Sequence, residues 1–343
     1  MGRTSIIALS GPSSSGKTTL ARLLQRIFAH LDTKGEPAQA QAQAPPISTF
    51  IVHEDDFYHP DDKIPYTTTK SGQRIQDWDC VEALDTAFLS ASLRYVHEHG
   101  HLPPRLKSKE DLNDVSPHSG VDDELIEELK DVVRGRISGL SFQKEAEGDG
   151  KWTLAILEGF LLFAPPVSDA QGKHPLRPVH DQIDVRLFLP APYDLVKERR
   201  EKRSGYVTIG PAPTPDLPQR SSVSDADKEE DEGELDLDAE DDRPPQNFWT
   251  DPPGYVDDIV WPRYVRDHAW LLLAENDGAK SRALDSIKDD DELVKKAGQG
   301  VTLRMDAGVT VAPGQGLLPM AELLKWAVEE VLNHFQQSNS KLQ

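Results

Sequence analysis

Eight residues near the N-terminus constrain this chain more than any others. Gly11-Pro12-Ser13-Ser14-Ser15-Gly16-Lys17-Thr18 lies between a short apolar run, residues 5–10 (SIIALS), and residues 17–30, where Leu20, Leu23, Leu24, Ile27 and Phe28 recur at helical spacing. A buried strand, a glycine-bounded turn and a helix, in that order, fit the pattern G-x-x-x-x-G-K-[ST] together with its structural context. Gly11 and Gly16 let the backbone curl so that successive N–H groups face an anion. The helix beginning near Lys17 points the positive end of its dipole at the same place. The expected cradle is Gly11, Ser13, Ser14, Ser15, Gly16, Lys17, Thr18 and Thr19. In it Lys17 reaches the β- and γ-phosphates of ATP, and the Thr18 hydroxyl ligates Mg2+. Nucleotide binding follows from this motif; the choice between an NTPase and a kinase does not.

The rest of the chain alternates strand and helix signals. Residues 49–52, 153–157, 184–189 and 309–312 read as strands. Residues 81–97, 122–133, 193–203, 260–273 (broken near Pro262) and 320–335 read as helices. Such alternation predicts an α/β fold of the P-loop NTPase type: a parallel sheet of about five strands, helices on both faces, and a small lid. One domain over residues 1–343 is expected, decorated by insertions at 33–46, 101–150, 207–247 and 277–300. The first is a low-complexity surface loop and the last a solvated insert. Residues 207–247, rich in Pro, Ser and acidic residues, are expected to be disordered.

Charge narrows the class of partner. The net charge is −21, and residues 225–242 alone hold twelve Asp or Glu against one Lys. That balance disfavours nucleic acid and anionic membranes, leaving small molecules as the expected partners, with any protein partner of the acidic insert unspecified. A single cysteine, Cys80, rules out an intrachain disulfide and reads as a small buried residue. No apolar run approaches the length of a membrane span. The first apolar run is too short for a secretory leader, so the cytoplasm is the expected compartment, with the nucleus as the alternative.

Five further segments follow the phosphate loop in order: HEDDFYHP at 53–60, QDWDCVEAL at 76–84, LEGFLLF at 157–163, PYDLVKERREKR at 192–203 and DPPGYVDDIVWPRY at 251–264. Together they resemble the nicotinamide riboside kinase family, a branch related to uridine kinases, over half to two-thirds of the chain. The resemblance implies transfer of a phosphoryl group from ATP, with Mg2+, to the 5′-hydroxyl of nicotinamide riboside or nicotinic acid riboside, in NAD biosynthesis. The chain departs from the family pattern in having Trp78 where Tyr is more familiar, and Glu54 where an amide is more usual. Both changes are expected to bear on substrate choice. Two alternatives stay open: another small-molecule kinase such as a uridine or pantothenate kinase, and a regulatory protein that binds ATP without transferring it.

Roles follow by matching residues. In the resemblance Asp55 is the base that takes the 5′-hydroxyl proton and helps hold Mg2+; as a residue it follows a strand at the carboxyl edge of the sheet, where such folds place ligands. Asp56 is expected to cap the loop beside the substrate. Glu158, ending a strand, is a second Mg2+ candidate. Trp78 and Asp79 look like the riboside grip, an aromatic face for the pyridinium ring and an acceptor for ribose hydroxyls. Phe57 and Tyr58 are candidates for the same pocket. Arg199, Arg200 and Arg203 are expected to serve the lid: Arg199 and Arg203 toward ATP, Arg200 toward substrate, with Arg199 and Arg203 sharing a helix face. Tyr206 is a candidate lid aromatic, and the family's adenine loop falls at residues 315–317. His53 and His59 lack the partner spacing of a zinc site.

Overall fold

Strand β1 (Arg3–Ser10) buries Ile6, Ile7, Ala8 and Leu9 completely, on both faces of the sheet. Only a central parallel strand covered by helices on each side accommodates such a run. In the computed structural model the chain continues through α1 (Lys17–Phe28), β2 (Ile47–His53), a small hairpin of β3 (Tyr66–Thr68) and β4 (Arg74–Gln76), α2 (Thr86–His99), α3 (Asp123–Ser138) and β5 (Trp152–Gly159). Then come α4 (Arg177–His180), β6 (Val185–Phe188), α5 (Tyr193–Glu201), the antiparallel pair β7 (Tyr206–Thr208) and β8 (Asn247–Trp249), α6 (Trp261–Asp267), β9 (Leu272–Ala274), α7 (Asp290–Gly298), β10 (Val301–Leu303), β11 (Thr310–Val311) and α8 (Met320–Ser340). The structure describes residues 3–29, 47–108, 119–138, 152–168, 174–203, 205–208, 210, 247–274, 284–298 and 301–340.

The central sheet has five parallel strands in the order β11-β6-β1-β5-β2. Side chains alternate between its faces with period two. Ile7, Leu9, Leu154 and Ile156 pack against α1, α3 and α8, while Ile6, Ala8, Ala155 and Leu157 pack against α2 and α4. The expected α/β architecture with helices on both faces is therefore present. The carboxyl ends of β1, β2 and β5 lie side by side, which brings three sequence motifs to one edge.

Several boundaries differ from expectation for local reasons. The helix expected from residue 81 begins with a 3-10 turn, Val81–Ala83, and restarts as α2 because the Asp85 carboxylate caps the Phe88 amide at 2.8 Å. Pro262 does not break a helix. It occupies the first turn of α6, where its missing N–H costs nothing, and a π-helical turn, Val256–Val260, precedes it. That helix stops at Asp267, and the chain becomes β9 within the span expected to be helical. The insert at 277–300 is not wholly solvated: α7 buries Leu293 and Ala297 against α6. Helix α3 runs past residue 133, burying Ile126, Leu129, Val133 and Ile137 against α1 and α8. The expected surface loop at 33–46 and most of the acidic insert, residues 209 and 211–246, lie outside the described residues. Among those that are described, no helix is long and apolar enough to cross a membrane.

Candidate active site

The phosphate loop joins β1 to α1 through two glycines with left-handed φ, Gly11 at 151° and Gly16 at 100°. A Cβ on Gly11 would stand 2.2 Å from the Leu189 carbonyl oxygen, so the turn needs glycine there. Lys17 is buried, and its Nζ donates to the Pro12 carbonyl at 3.0 Å. Burial lowers its pKa, against the opposing pull of the Glu158 and Asp55 carboxylates. The Ser14 and Ser15 hydroxyls are buried without a hydrogen-bond partner. Buried donors rarely stay unpaired, so the loop is built to receive acceptor oxygens. Ser13 and Thr19 are half-buried at its rim.

Across the loop stand the acids. The register of β2 on β5 ends at His53 opposite Glu158. His53 Nδ1 lies 2.7 Å from Glu158 Oε1, and the Thr18 hydroxyl donates to Oε2 at 3.1 Å. Burial pushes the Glu158 pKa up, but the His53 hydrogen bond, Lys17 and Thr18 outweigh it and leave the carboxyl below its ordinary value. Asp55 sits in the 3-10 turn Glu54–Phe57 that follows β2. Burial and then the Glu158 charge raise its pKa, while Lys17, Arg203 and His53 pull the other way. Asp55, Glu158, Lys17 and Thr18 thus lie together as one group. Among the described residues no three His, Cys, Asp or Glu side chains enclose a metal by themselves.

The second half of the site is a cluster of packed aromatic rings and paired charges. Trp78 is almost fully buried, edge-on to Tyr58 at 5.3 Å and tilted against Trp249 at 5.7 Å; its Nε1 has no partner. Tyr58 donates its hydroxyl to the Trp78 carbonyl at 2.9 Å. Arg200 grips Asp79 with Nη1 and Nη2, at 2.9 and 3.1 Å, and turns its Nε to Asp251 at 2.7 Å. Burial nevertheless raises the Asp79 pKa, the Arg200 charge opposing it. A small cavity opens between Ser13 and Asp79, walled by Phe160, Tyr264, Asp267 and His268.

No protein-family model matches the chain. Individual relatives do. It is 29% identical over 271 residues to the nicotinamide riboside kinase of Schizosaccharomyces pombe, which covers 79% of this chain and 82% of that protein. It is 26% identical over 297 residues to the nicotinamide riboside kinase of Saccharomyces cerevisiae, 85% of this chain and 91% of that one. Nicotinamide riboside kinase 2 of Mus musculus matches at 23% over 301 residues, 88% of this chain and 96% of that protein. The alignments run almost end to end. The chain is thus similar to nicotinamide riboside kinases over 79–88% of its length.

At this site the three lid arginines divide. Arg199 Nη1 donates to the Ser14 carbonyl at 3.2 Å, and the Arg203 charge acts on Asp55 and Lys17, so both face the phosphate loop. Arg200, about 100° further around α5 than Arg199, is committed to Asp79 and Asp251. Phe57 is not in the pocket: it is buried in the core, 5.1 Å from the Phe88 ring, because its position in the 3-10 turn aims it under the sheet. Asp56 is buried beside it. Tyr206 lies beneath the guanidinium groups of Arg200 and Arg203, at 5.2 and 4.8 Å. Residues 315–317 form an exposed turn after β11, and a Cβ on Gly316 would meet the Pro190 carbonyl at 2.2 Å. Cys80 is buried and its thiol is pushed up to about 12 by burial, so it is inert.

Sequence reading missed several contributors in this kinase. Glu54 does not face substrate: its Oε2 accepts from the Phe160 and Leu161 amides at 2.6 and 3.0 Å, tying the turn of Asp55 to the strand end of Glu158. His53 was legible only as a poor zinc ligand, whereas the pairing of two strand ends makes it the partner of Glu158. Asp251 and Trp249 border an insertion, and Arg263, which holds Asp77 at 2.8 Å, lies 186 positions from its partner. None carries a local signal.

Proposed function

We propose that this protein transfers the γ-phosphoryl group of ATP to the 5′-hydroxyl of nicotinamide riboside, a reading supported by relatives named nicotinamide riboside kinase. The observation that carries the reading is the meeting of Asp55, Glu158, Lys17 and Thr18 at one sheet edge, next to the Asp79–Arg200 pair and the Trp78 ring. A phosphate loop alone would suit many enzymes. A base beside the loop and a planar ring wall with a hydroxyl acceptor suit a nucleoside acceptor.

The residues fit the groups the reaction needs. The partnerless Ser14 and Ser15 hydroxyls and the Lys17 ammonium, satisfied by one carbonyl, are donors for phosphate oxygens. Thr18, Glu158 and Asp55 offer oxygen donors alone, the donor type for Mg2+, with water and phosphate oxygens completing the shell. When bound, Mg2+ would neutralise charge on the β- and γ-phosphates. Asp55 orients the attacking hydroxyl and accepts its proton late in the transfer. Arg199 and Arg203 face the transferring group and stabilise its charge. Asp79 accepts from the ribose hydroxyls, with Arg200 holding it in place. Water exclusion falls to the lid carrying α5, β7 and β8.

The test is a substrate panel. Purified protein with ATP and Mg2+ is assayed against nicotinamide riboside, nicotinic acid riboside, uridine and pantothenate, with Lys17→Ala as the blank. Turnover is expected on the pyridine ribosides. Preferred turnover of uridine or pantothenate would reassign the substrate, and no turnover on any of them would point to a binding protein.

A further inference from the structure

One carboxylate fastens both strands of the β7–β8 pair to the loop below the aromatic pocket. Asp61 follows Tyr58 by three residues. Its Oδ2 accepts from the Thr208 hydroxyl at 2.8 Å and from Asn247 Nδ2 at 3.4 Å, and its Oδ1 accepts from the Gly210 amide at 3.0 Å. Its own amide donates to the Gly210 carbonyl at 2.8 Å, and its carbonyl accepts from Gln76 Nε2 at 2.6 Å. Thr208 and Asn247 face each other across the strand pair, so the carboxylate sits at the point where the two strands meet.

The pair is short and partly exposed. Each strand is three residues long, and Phe248 is 54% exposed. A ribbon of that length is not stable by its own backbone bonds. Yet it carries Trp249, whose ring lies 5.7 Å from Trp78 and whose Nε1 donates to Asp251 at 2.9 Å. Asp251 in turn holds Arg200, and Arg200 holds Asp79. Displacing the ribbon would move the wall against Trp78 and loosen the support of Asp79, without touching the phosphate loop.

We propose that Asp61 is a positioning residue for the acceptor substrate, clasping the β7–β8 ribbon so that Trp249 stands against Trp78 and Asp251 against Arg200. The proposal rests on the reading of Trp78 and Asp79 as the riboside grip. Asp61 bonds none of the residues assigned to ATP, so the acceptor side is expected to feel its loss first. The carboxylate makes charge-assisted hydrogen bonds, stronger than those of a neutral acceptor.

Steady-state kinetics of the full-length protein with nicotinamide riboside test this. Asp61→Ala is expected to raise the riboside KM by about tenfold, the loss from removing a charged hydrogen-bond acceptor. Its ATP KM is expected to stay within about twofold of the parent, since the phosphate loop is built from other elements. Thr208→Val removes one donor from the opposite side and is expected to raise the riboside KM less, adding little when Asp61 is already Ala. Asp61→Asn keeps an acceptor oxygen and is expected to recover most of the loss. An unchanged riboside KM in Asp61→Ala, with Trp78→Ala raising it, overturns the clasp alone. A parallel rise of the riboside and ATP KM values in Asp61→Ala and Thr208→Val marks a general loss of structure and overturns it too. An unchanged riboside KM in Trp78→Ala overturns the pocket reading on which the clasp depends, and that variant identifies this failure separately.

Discussion

Thr18 and Glu158, 140 positions apart in the chain, are joined by a hydrogen bond of 3.1 Å from the threonine hydroxyl to Oε2. The other Glu158 oxygen is taken by His53 at 2.7 Å. One oxygen of a buried carboxylate is thus committed to the fold, and the other is aimed at the hydroxyl expected to ligate Mg2+. Glu158→Gln keeps the shape and loses the charge. The expected outcome is a large increase in the Mg2+ concentration that gives half-maximal rate, with a fall in kcat of about two orders of magnitude at saturating metal. Rates measured as a function of free Mg2+ check both.

Asp55→Asn removes the proton acceptor while preserving shape. Turnover is expected to fall strongly, with ATP binding by calorimetry and thermal stability close to the parent. Burial and the Glu158 charge raise the Asp55 pKa, and only the ionised form accepts a proton. The acid limb of kcat/KM in the parent is therefore expected above the ordinary carboxylate range. Asp56→Asn is expected to leave kcat within a few-fold; if it abolishes turnover while Asp55→Asn does not, the base is misassigned.

Arg199 and Arg200 are neighbours with opposite expected consequences. Arg199→Ala should lower kcat without lowering Tm, because the side chain is exposed and bonds the rim of the phosphate loop, the Ser14 carbonyl at 3.2 Å. Arg200→Ala takes the ion-pair partner from the buried Asp79 carboxylate and one of two partners from the half-buried Asp251. A loss of about 3–5 kcal/mol is expected, the usual result of removing one partner of a buried ion pair. Thermal melts of the two variants distinguish them.

Glu54 makes stability depend on pH. Burial raises its pKa from 4.5 to about 8 in the folded protein, the two backbone amides only partly opposing this. The folded state therefore binds the proton more tightly than the unfolded one. Its contribution is fully present below pH 4.5 and is lost as pH rises through 8, by at most about 5 kcal/mol. Glu54→Gln retains an acceptor for the Phe160 and Leu161 amides and cannot ionise. Its Tm is expected to exceed that of the parent at pH 8.5 and to match it at pH 5. Equal Tm differences at both pH values would refute the ionisation argument.

The acidic insertion is expected to be removable. Thr208 pairs with Asn247, so the chain ends on either side of it already lie together. Deleting residues 212–243 leaves 209–211 and 244–246 to join the strands, within the usual length of a connection between elements. Unchanged kcat, riboside KM and Tm are expected. The ATP KM measured across ionic strength reads a second property. A lower value after deletion at low salt, converging at high salt, would show that the insert competes for Arg199 and Arg203.

The local half of this kinase was legible in one dimension. The phosphate loop needs only contiguous residues, since two glycines, a lysine and a threonine at set offsets specify both backbone path and chemistry. Strands such as β1 and β5 declared themselves by unbroken apolar runs, and Asp55 and Glu158 by ending such runs. Helix boundaries were less readable, because Asp85 acts as a cap and Pro262 as a first-turn residue only when the backbone around them is known.

What linear order could not reveal was which charges face each other. Arg199 and Arg200 are chemically identical neighbours, and only the rotation of α5 sends one to Ser14 and the other to Asp79, 121 positions away. Phe57 and Tyr58 are likewise adjacent, yet the 3-10 turn puts the first in the core and the second against Trp78. Asp61 looks like a solvated acid until β7 and β8 close over it. A covalent motif carries its geometry in the spacing of its residues. A contact between distant segments depends on how sheet, helices and lid pack, so these pairings were settled by the tertiary structure alone.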